Sequence, residues 1–209
     1  MSSRIVTLPN LLTVVRMFLI PIFVICLYYQ RFGWALFLFV GAGLTDGLDG
    51  MLARRFDQKS QLGTILDPIA DKLLLVTAFV TLSLPGIISK TALPPPHENL
   101  HLPVPFWVTT AVISRDVFIV VGAAAINIVT GFRNFRPSWL GKANTFIQIT
   151  AIVIILLATQ LPILRGYVLP TVYVIVFAFA LFSGAHYIFH VTRIMNEDKQ
   201  DRESSDDGR

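Results

Sequence analysis

A chain of 209 residues that is 54% hydrophobic and only 14% charged, with sixteen phenylalanines and a positive mean hydropathy, is built for lipid and not for water. Its 17 basic and 13 acidic residues give a formal charge of +4, and its one cysteine, Cys26, excludes both an intrachain disulfide framework and a cysteine metal site. The length accommodates one domain of about six spanning helices of ~20 residues each, with no room for a separate soluble domain.

The expected fold class is therefore an all-α integral membrane protein, a six-transmembrane-helix bundle over residues 13–29, 34–54, 67–84, 105–129, 144–161 and 169–195. Asn10 and Arg16 interrupt the first apolar run and no small-x-small site follows it, so it reads as a span and not as a cleaved signal. The third span begins with Asp67 as N-cap and Pro68 at the first helical position. Residues 85–105, with three consecutive prolines and almost no charge, suit an extended connection outside the cytoplasm. Residues 1–195 make the membrane domain. Residues 196–209 hold six acids, three bases and no apolar side chain, and are expected to be a disordered acidic tail.

Orientation follows from the bases. With both termini on one side, that side receives twelve of them (Arg4, Arg16, Arg54, Arg55, Lys59, Arg133, Arg136, Lys142, Arg193, Lys199, Arg202 and Arg209) and the other only Arg31, Lys90 and Arg165. Twelve against three puts both termini in the cytoplasm, and a bacterial inner membrane is the simplest host. Without the tail the body carries 14 − 7 = +7, a balance suited to anionic lipid or phosphate-bearing substrates and not to a nucleic-acid partner.

Into this apolar chain the stretch from Gly43 to Leu75 inserts Asp46, Asp49, Arg54, Asp67 and Asp71. Charge inside hydrocarbon costs several kcal/mol, and chains that keep it use it. Asp46 and Asp49 are three apart and Asp67 and Asp71 four apart, so each pair shares one face of its helix. Four carboxylates brought together cannot all remain ionised without cations. An oxygen-only set with no nearby His or Cys points to two divalent cations, Mg²⁺ or Mn²⁺, of the kind that clamp a phosphoryl group and its leaving oxygen. Gly43, Gly47, Gly50 and Ala53 leave one side of the second helix nearly bare, which serves close helix packing or the approach of a nucleotide diphosphate, with Arg54 at its end.

Asp46, Asp49, Gly50, Ala53, Arg54, Gly63, Asp67 and Asp71 together read DxxDGxxAR, eight residues, then GxxxDxxxD. In this signature, and from LPNLLTVVR near the start to the last helix, the chain resembles the CDP-alcohol phosphotransferase family. The resemblance implies transfer of a phosphatidyl group from CDP-diacylglycerol to an alcohol with release of CMP, and a homodimer. It further implies that Asp46, Asp49, Asp67 and Asp71 hold two metals, that Asp71 is the catalytic base, and that Gly50, Ala53, Arg54 and Gly63, with Asn10, contact the CDP moiety.

Acceptor choice falls to the second half. Arg115, Arg136, Lys142, Thr145 and Gln148 are the expected acceptor contacts; Arg115 is expected to face the cavity and not to pair with its neighbour Asp116, since adjacent residues point to different helix faces. PVPFWVTTAVISRD, RPSWLGKANTFIQ and AHYIFHVTR resemble the eukaryotic-type cardiolipin synthases, and Gly122–Ala125 holds no base where phosphatidylglycerophosphate synthases commonly place an Arg. Phosphatidylglycerol is thus the first reading of the acceptor and glycerol 3-phosphate the second. His186 and His190, four apart on the last helix, lack further zinc ligands and read as interior hydrogen-bonding groups or contacts with lipid headgroups. A cation transporter would explain buried Asp pairs but not Gly63, Arg54 or the fixed spacing.

Overall fold

The computed structural model describes residues 8–55, 61–88, 102–130 and 139–206, with side chains for 13–45, 66, 68–88, 102–122, 139–189 and 192. Six α-helices carry it: α1 Leu8–Tyr28, α2 Phe32–Arg55, α3 Gln61–Ser83, α4 Phe106–Thr130, α5 Trp139–Gln160 and α6 Val168–Asp206. A 3₁₀ turn, Pro162–Leu164, joins the last two. Two stretches, Trp139–Gln160 and Val168–Phe189, are each long and apolar enough to cross a membrane; Thr13–Tyr28 and Phe32–Thr45 are shorter apolar helices.

Four boundaries differ from expectation by five residues or more: α1 starts at Leu8 instead of residue 13, and three others differ for local reasons. α3 starts at Gln61, so Asp67 and Pro68 lie inside it instead of capping it. Pro68 there lacks the N–H that would bond the carbonyl four residues back, and its ring crowds that carbonyl, so it sits in the helix at a cost instead of at the favoured first position. α5 starts at Trp139, five residues early, since nothing in Trp139–Ala143 except Gly141 opposes a helix. α6 runs on to Asp206 through the stretch expected to be a disordered tail. There Asp198 and Arg202, and Lys199 and Glu203, stand four apart with opposite charge, and no Gly or Pro intervenes before Gly208.

Two helix ends are closed by recognisable devices. Gln30 adopts a left-handed φ of 56° after α1, with its N–H on the Leu27 carbonyl (2.9 Å) and the Arg31 N–H on the Cys26 carbonyl (2.8 Å). That pair of bonds satisfies the orphan carbonyls and turns the chain into α2. At the end of α5 the buried Arg165 folds back, donating from Nε to the Ala158 carbonyl (2.7 Å) and from Nη2 to that of Thr159 (2.8 Å). A cation there also meets the negative end of the helix dipole.

The helices pack as two rings sharing an edge. α1 and α5 each contact both α2 and α3, which places α2 and α3 across a four-helix ring from one another. The second ring is α3, α4, α6 and α5, with its tightest contact between α4 and α6. The common core fills one end of both rings: Phe23 and Leu27 of α1, Phe39 of α2, Phe79 and Leu82 of α3, Val108 of α4, Ile155 of α5 and Tyr173 of α6 belong to a single buried cluster. The connection after α3 closes this end, where the Val104 N–H bonds the Leu82 carbonyl (3.0 Å).

Candidate active site

Every core stripe changes character along its helix. On α2 the buried positions are Phe32, Ala35, Phe39 and Ala42, and the same three-four spacing carries on to Asp46, Asp49 and Ala53. On α3, Leu82, Ala78 and Leu74 lead by the same spacing to Asp71 and Asp67. On α1, Leu27 and Phe23 give way to Arg16 and Thr13, both buried. On α5, Ile155, Ile152 and Ala151 give way to Gln148 and Asn144, and on α6 Ala180 gives way to Ser183. The apolar end of the bundle is packing; the polar end is the candidate site.

Asp71 is the member of the acid quartet whose side chain is described. Its carboxylate is 38% exposed and forms an ion pair with the guanidinium of Arg16, which is 1% exposed. A buried arginine in this position is held by its partner, because an uncompensated guanidinium away from water is strongly unfavourable. Arg16 was foreseen only as a base that orients the chain and interrupts the first apolar run, not as a site residue. The signal that finds it is its place on the α1 stripe, three residues after Thr13 and seven before Phe23.

A second charged group lies in the neighbouring ring. Lys72 Nζ bonds Asp116 Oδ2 at 2.8 Å, joining α3 to α4. Arg115 Nη1 bonds Asp116 Oδ1 at 2.8 Å, while its Nη2 and Nε reach Ser183 Oγ on α6 at 2.6 and 3.3 Å. Arg115 therefore does pair with Asp116, contrary to the expectation drawn from helix geometry. Its long side chain bends back along the helix so that the guanidinium reaches the adjacent carboxylate, and only 7% of it is exposed. Gly122 makes room for α6: a Cβ there would lie 2.9 Å from Tyr187 Cε1. Gly122 thus serves the α4–α6 seam.

Of the other expected contacts, Lys142 is exposed on α5, Thr145 is half-buried with Oγ1 on the Gly141 carbonyl (3.2 Å), and Gln148 is fully buried. Asn10 lies in α1, Asp46, Asp49, Gly50, Ala53 and Arg54 in α2, and Gly63 and Asp67 in α3, with side chains outside the described set; Arg136 lies outside the described residues. His186 is exposed on α6. Among the described side chains no three acids, histidines or cysteines converge. An apolar groove of about 440 Å³ between α4 and α6, lined by Phe106, Trp107, Phe177 and Leu181 among others, lies toward the apolar end, away from the acids.

By sequence register, α2 and α3 each carry two carboxylates on the continuation of their core stripes and no His or Cys there, a donor type that suits hard cations. Asn144 and Gln148 agree with a missing polar occupant, since all four of their buried side-chain nitrogen and oxygen atoms lack a hydrogen-bond partner. A buried polar group left unsatisfied is rare and calls for something the structure does not contain.

Comparison with known proteins gives a consistent result. The sequence profile of the CDP-alcohol phosphatidyltransferase family matches residues 6–189. A Mycobacterium tuberculosis protein named "Probable phosphatidylglycerophosphate synthase" is 31% identical over 77% of this chain and 71% of its own length. A Streptomyces coelicolor protein named cardiolipin synthase (CMP-forming) is 29% identical over 94% of this chain and 88% of its own. One from Blochmanniella floridana, named CDP-diacylglycerol–glycerol-3-phosphate 3-phosphatidyltransferase, is 30% identical over 90% and 92%.

Proposed function

Since the chain belongs to the CDP-alcohol phosphatidyltransferase family, we propose that it transfers a phosphatidyl group from CDP-diacylglycerol to the hydroxyl of a glycerol-bearing acceptor at the polar end of the α1–α2–α5–α3 ring, releasing CMP. The observation that carries this reading is the stripe pattern: on both α2 and α3 the core face turns from apolar to acidic within one helical turn, and Asp71 is held there by Arg16 with its carboxylate still accessible.

Asp46, Asp49, Asp67 and Asp71 are assigned to hold two divalent cations, Mg²⁺ or Mn²⁺. Bound there, the cations neutralise the donor's diphosphate and the charge that develops on departing CMP. Asp71 accepts the proton of the acceptor hydroxyl at a carboxylate oxygen; the acceptor oxygen forms the new bond to phosphorus and the bond to CMP breaks. Arg16 fixes the Asp71 carboxylate, so that its position does not depend on the substrate alone. Gly50, Ala53, Arg54 and Gly63, with Asn10, receive the CDP moiety, Arg54 meeting its phosphates.

For the acceptor we favour phosphatidylglycerol, giving cardiolipin. Arg115 supports this, because Asp116 and Ser183 already engage its guanidinium and leave it ill-suited to a dianionic phosphate. Lys142, Thr145 and Arg136 remain acceptor contacts at the mouth. The membrane placement is a bacterial inner membrane with both termini and the site facing the cytoplasm, and the working unit is a homodimer. The names carried by two of the relatives favour glycerol 3-phosphate instead. Purified protein given labelled CDP-diacylglycerol and Mn²⁺, with phosphatidylglycerol or glycerol 3-phosphate in parallel, decides: cardiolipin in the first arm is expected. Phosphatidylglycerophosphate alone would reassign the acceptor, and no CMP in either arm would remove the enzyme reading.

A further inference from the structure

Asn144 is 1% exposed and Gln148 fully buried, and neither side chain has a hydrogen-bond partner. They stand four apart on the core stripe of α5, about 6 Å apart along its axis. Among the described side chains Arg16 Nε, Arg165 Nη1 and the Tyr187 hydroxyl are also buried without a hydrogen-bond partner, but both arginines are bonded through their other nitrogens, whereas Asn144 and Gln148 have every side-chain polar atom unpartnered. Two orphaned carboxamides, side by side in a low-dielectric core, are each destabilising by about 1–3 kcal/mol unless something else completes them.

The helix register says what lies opposite. Gly33 of α2 sits against the Gln160 side chain of α5, its built Cβ 3.6 Å from Oε1. Sixteen residues onward from Gly33 is Asp49, and sixteen back from Gln160 is Asn144; twelve in each direction gives Thr45 and Gln148. The orphaned amides therefore fall at the depth of Asp46 and Asp49, on a helix that contacts both α2 and α3. Arg16 stands at the site from α1, on the opposite corner of the ring.

We infer that Asn144 and Gln148 are positioning residues for the carboxylates of the cation site, the α5 counterpart of Arg16. Their side-chain NH₂ groups donate to the carboxylate oxygens that turn away from the cations, and their carbonyl oxygens accept from water in the site. Partners of this kind orient metal ligands and affect affinity nearly as strongly as some ligands do. The inference rests on the two-cation reading above and gives Gln148 a role other than acceptor binding.

The test is Mn²⁺ binding to the purified full-length protein, followed by electron paramagnetic resonance without any substrate, for wild type, Gln148→Leu, Asn144→Ala and a Thr150→Val control on the exposed face of α5. Expected are a Kd for Mn²⁺ raised about 10–100-fold in the two amide variants and unchanged in the control. Thermal unfolding of the cation-free protein separates positioning from ordinary packing: Gln148→Leu is expected to unfold at the wild-type temperature or higher, with a smaller upward shift on adding Mn²⁺. Unchanged Mn²⁺ affinity in both variants overturns the inference. So does a cation-free Gln148→Leu protein that unfolds early or fails to fold, because an orphaned amide cannot be holding the structure together. Wild type that binds no Mn²⁺ would instead sink the two-cation reading on which it rests.

Discussion

The two ends of the bundle are made from the same six helices and the same stripes, yet they obey different rules. At the apolar end Phe23, Leu27, Phe79, Leu82 and Ile155 interlock with almost no exposed area. At the polar end the same faces carry Arg16, Asp71, Asn144 and Gln148, and what holds them is a small set of directed bonds, together with whatever occupies the site. The first region is stable because nothing is missing from it; the second is unfinished by design. A core whose polar half is underpinned by a tightly packed apolar half can keep charged groups fixed without using them for stability.

The comparison is broken most severely by removing the base. Asp71→Asn is expected to lower CMP release per folded molecule by about 10³-fold or more, the scale of general-base catalysis, and also to lower the unfolding temperature in detergent, since buried Arg16 loses its anionic partner. An unchanged rate per folded molecule would mean that Asp71 belongs structurally with the apolar end. Phe79→Ala should do the reverse: a loss of roughly 3 kcal/mol of stability from the cavity, with per-molecule activity retained in whatever protein remains folded. An activity assay normalised to the folded fraction reads this directly.

Arg16→Met should fall between the two. It frees Asp71 from its anchor, so a 10–100-fold drop in CMP release is expected, of the order produced by about 1 Å of misplacement, with acceptor KM little changed. If activity is untouched, Arg16 is only a charge-balancing partner. The smallest effect is reserved for Gly122→Ala, whose new methyl would press on the Tyr187 ring and cost about 1–2 kcal/mol of stability through overpacking at the α4–α6 seam. Turnover of the folded protein should not move.

Much of this division could be read from the chain itself, and the parts that could not have identifiable causes. The acid pairs and the glycine-rich side of α2 announced themselves because charge is rare in such a sequence and spacing fixes the face. The family's reaction followed from the same positions. Arg16 was overlooked because a lone base near a helix start looks like an orientation signal, and only its burial and its pairing with a residue fifty-five positions away reveal otherwise. Arg115 was misjudged because ideal helix geometry separates adjacent side chains, whereas a long flexible side chain folds back. Composition argued for disorder in the tail, a stretch through which α6 runs on to Asp206; opposite charges one turn apart are a pattern that composition alone does not register. Asn144 and Gln148 look unremarkable in sequence; their meaning lies in the absence of partners, which no pattern contains.

The ring arrangement has a consequence for how the chain is made. α2 ends at Arg55 and α5 begins at Trp139, an interval of 139 − 55 = 84 residues. At about 5–20 residues per second the ribosome needs roughly 4–17 s to cross it. Once α3 has followed, Asp46 and Asp49 stand in the nascent chain with α1 and α3 at hand but the fourth wall still unmade, so the polar end of this ring closes only when α5 arrives.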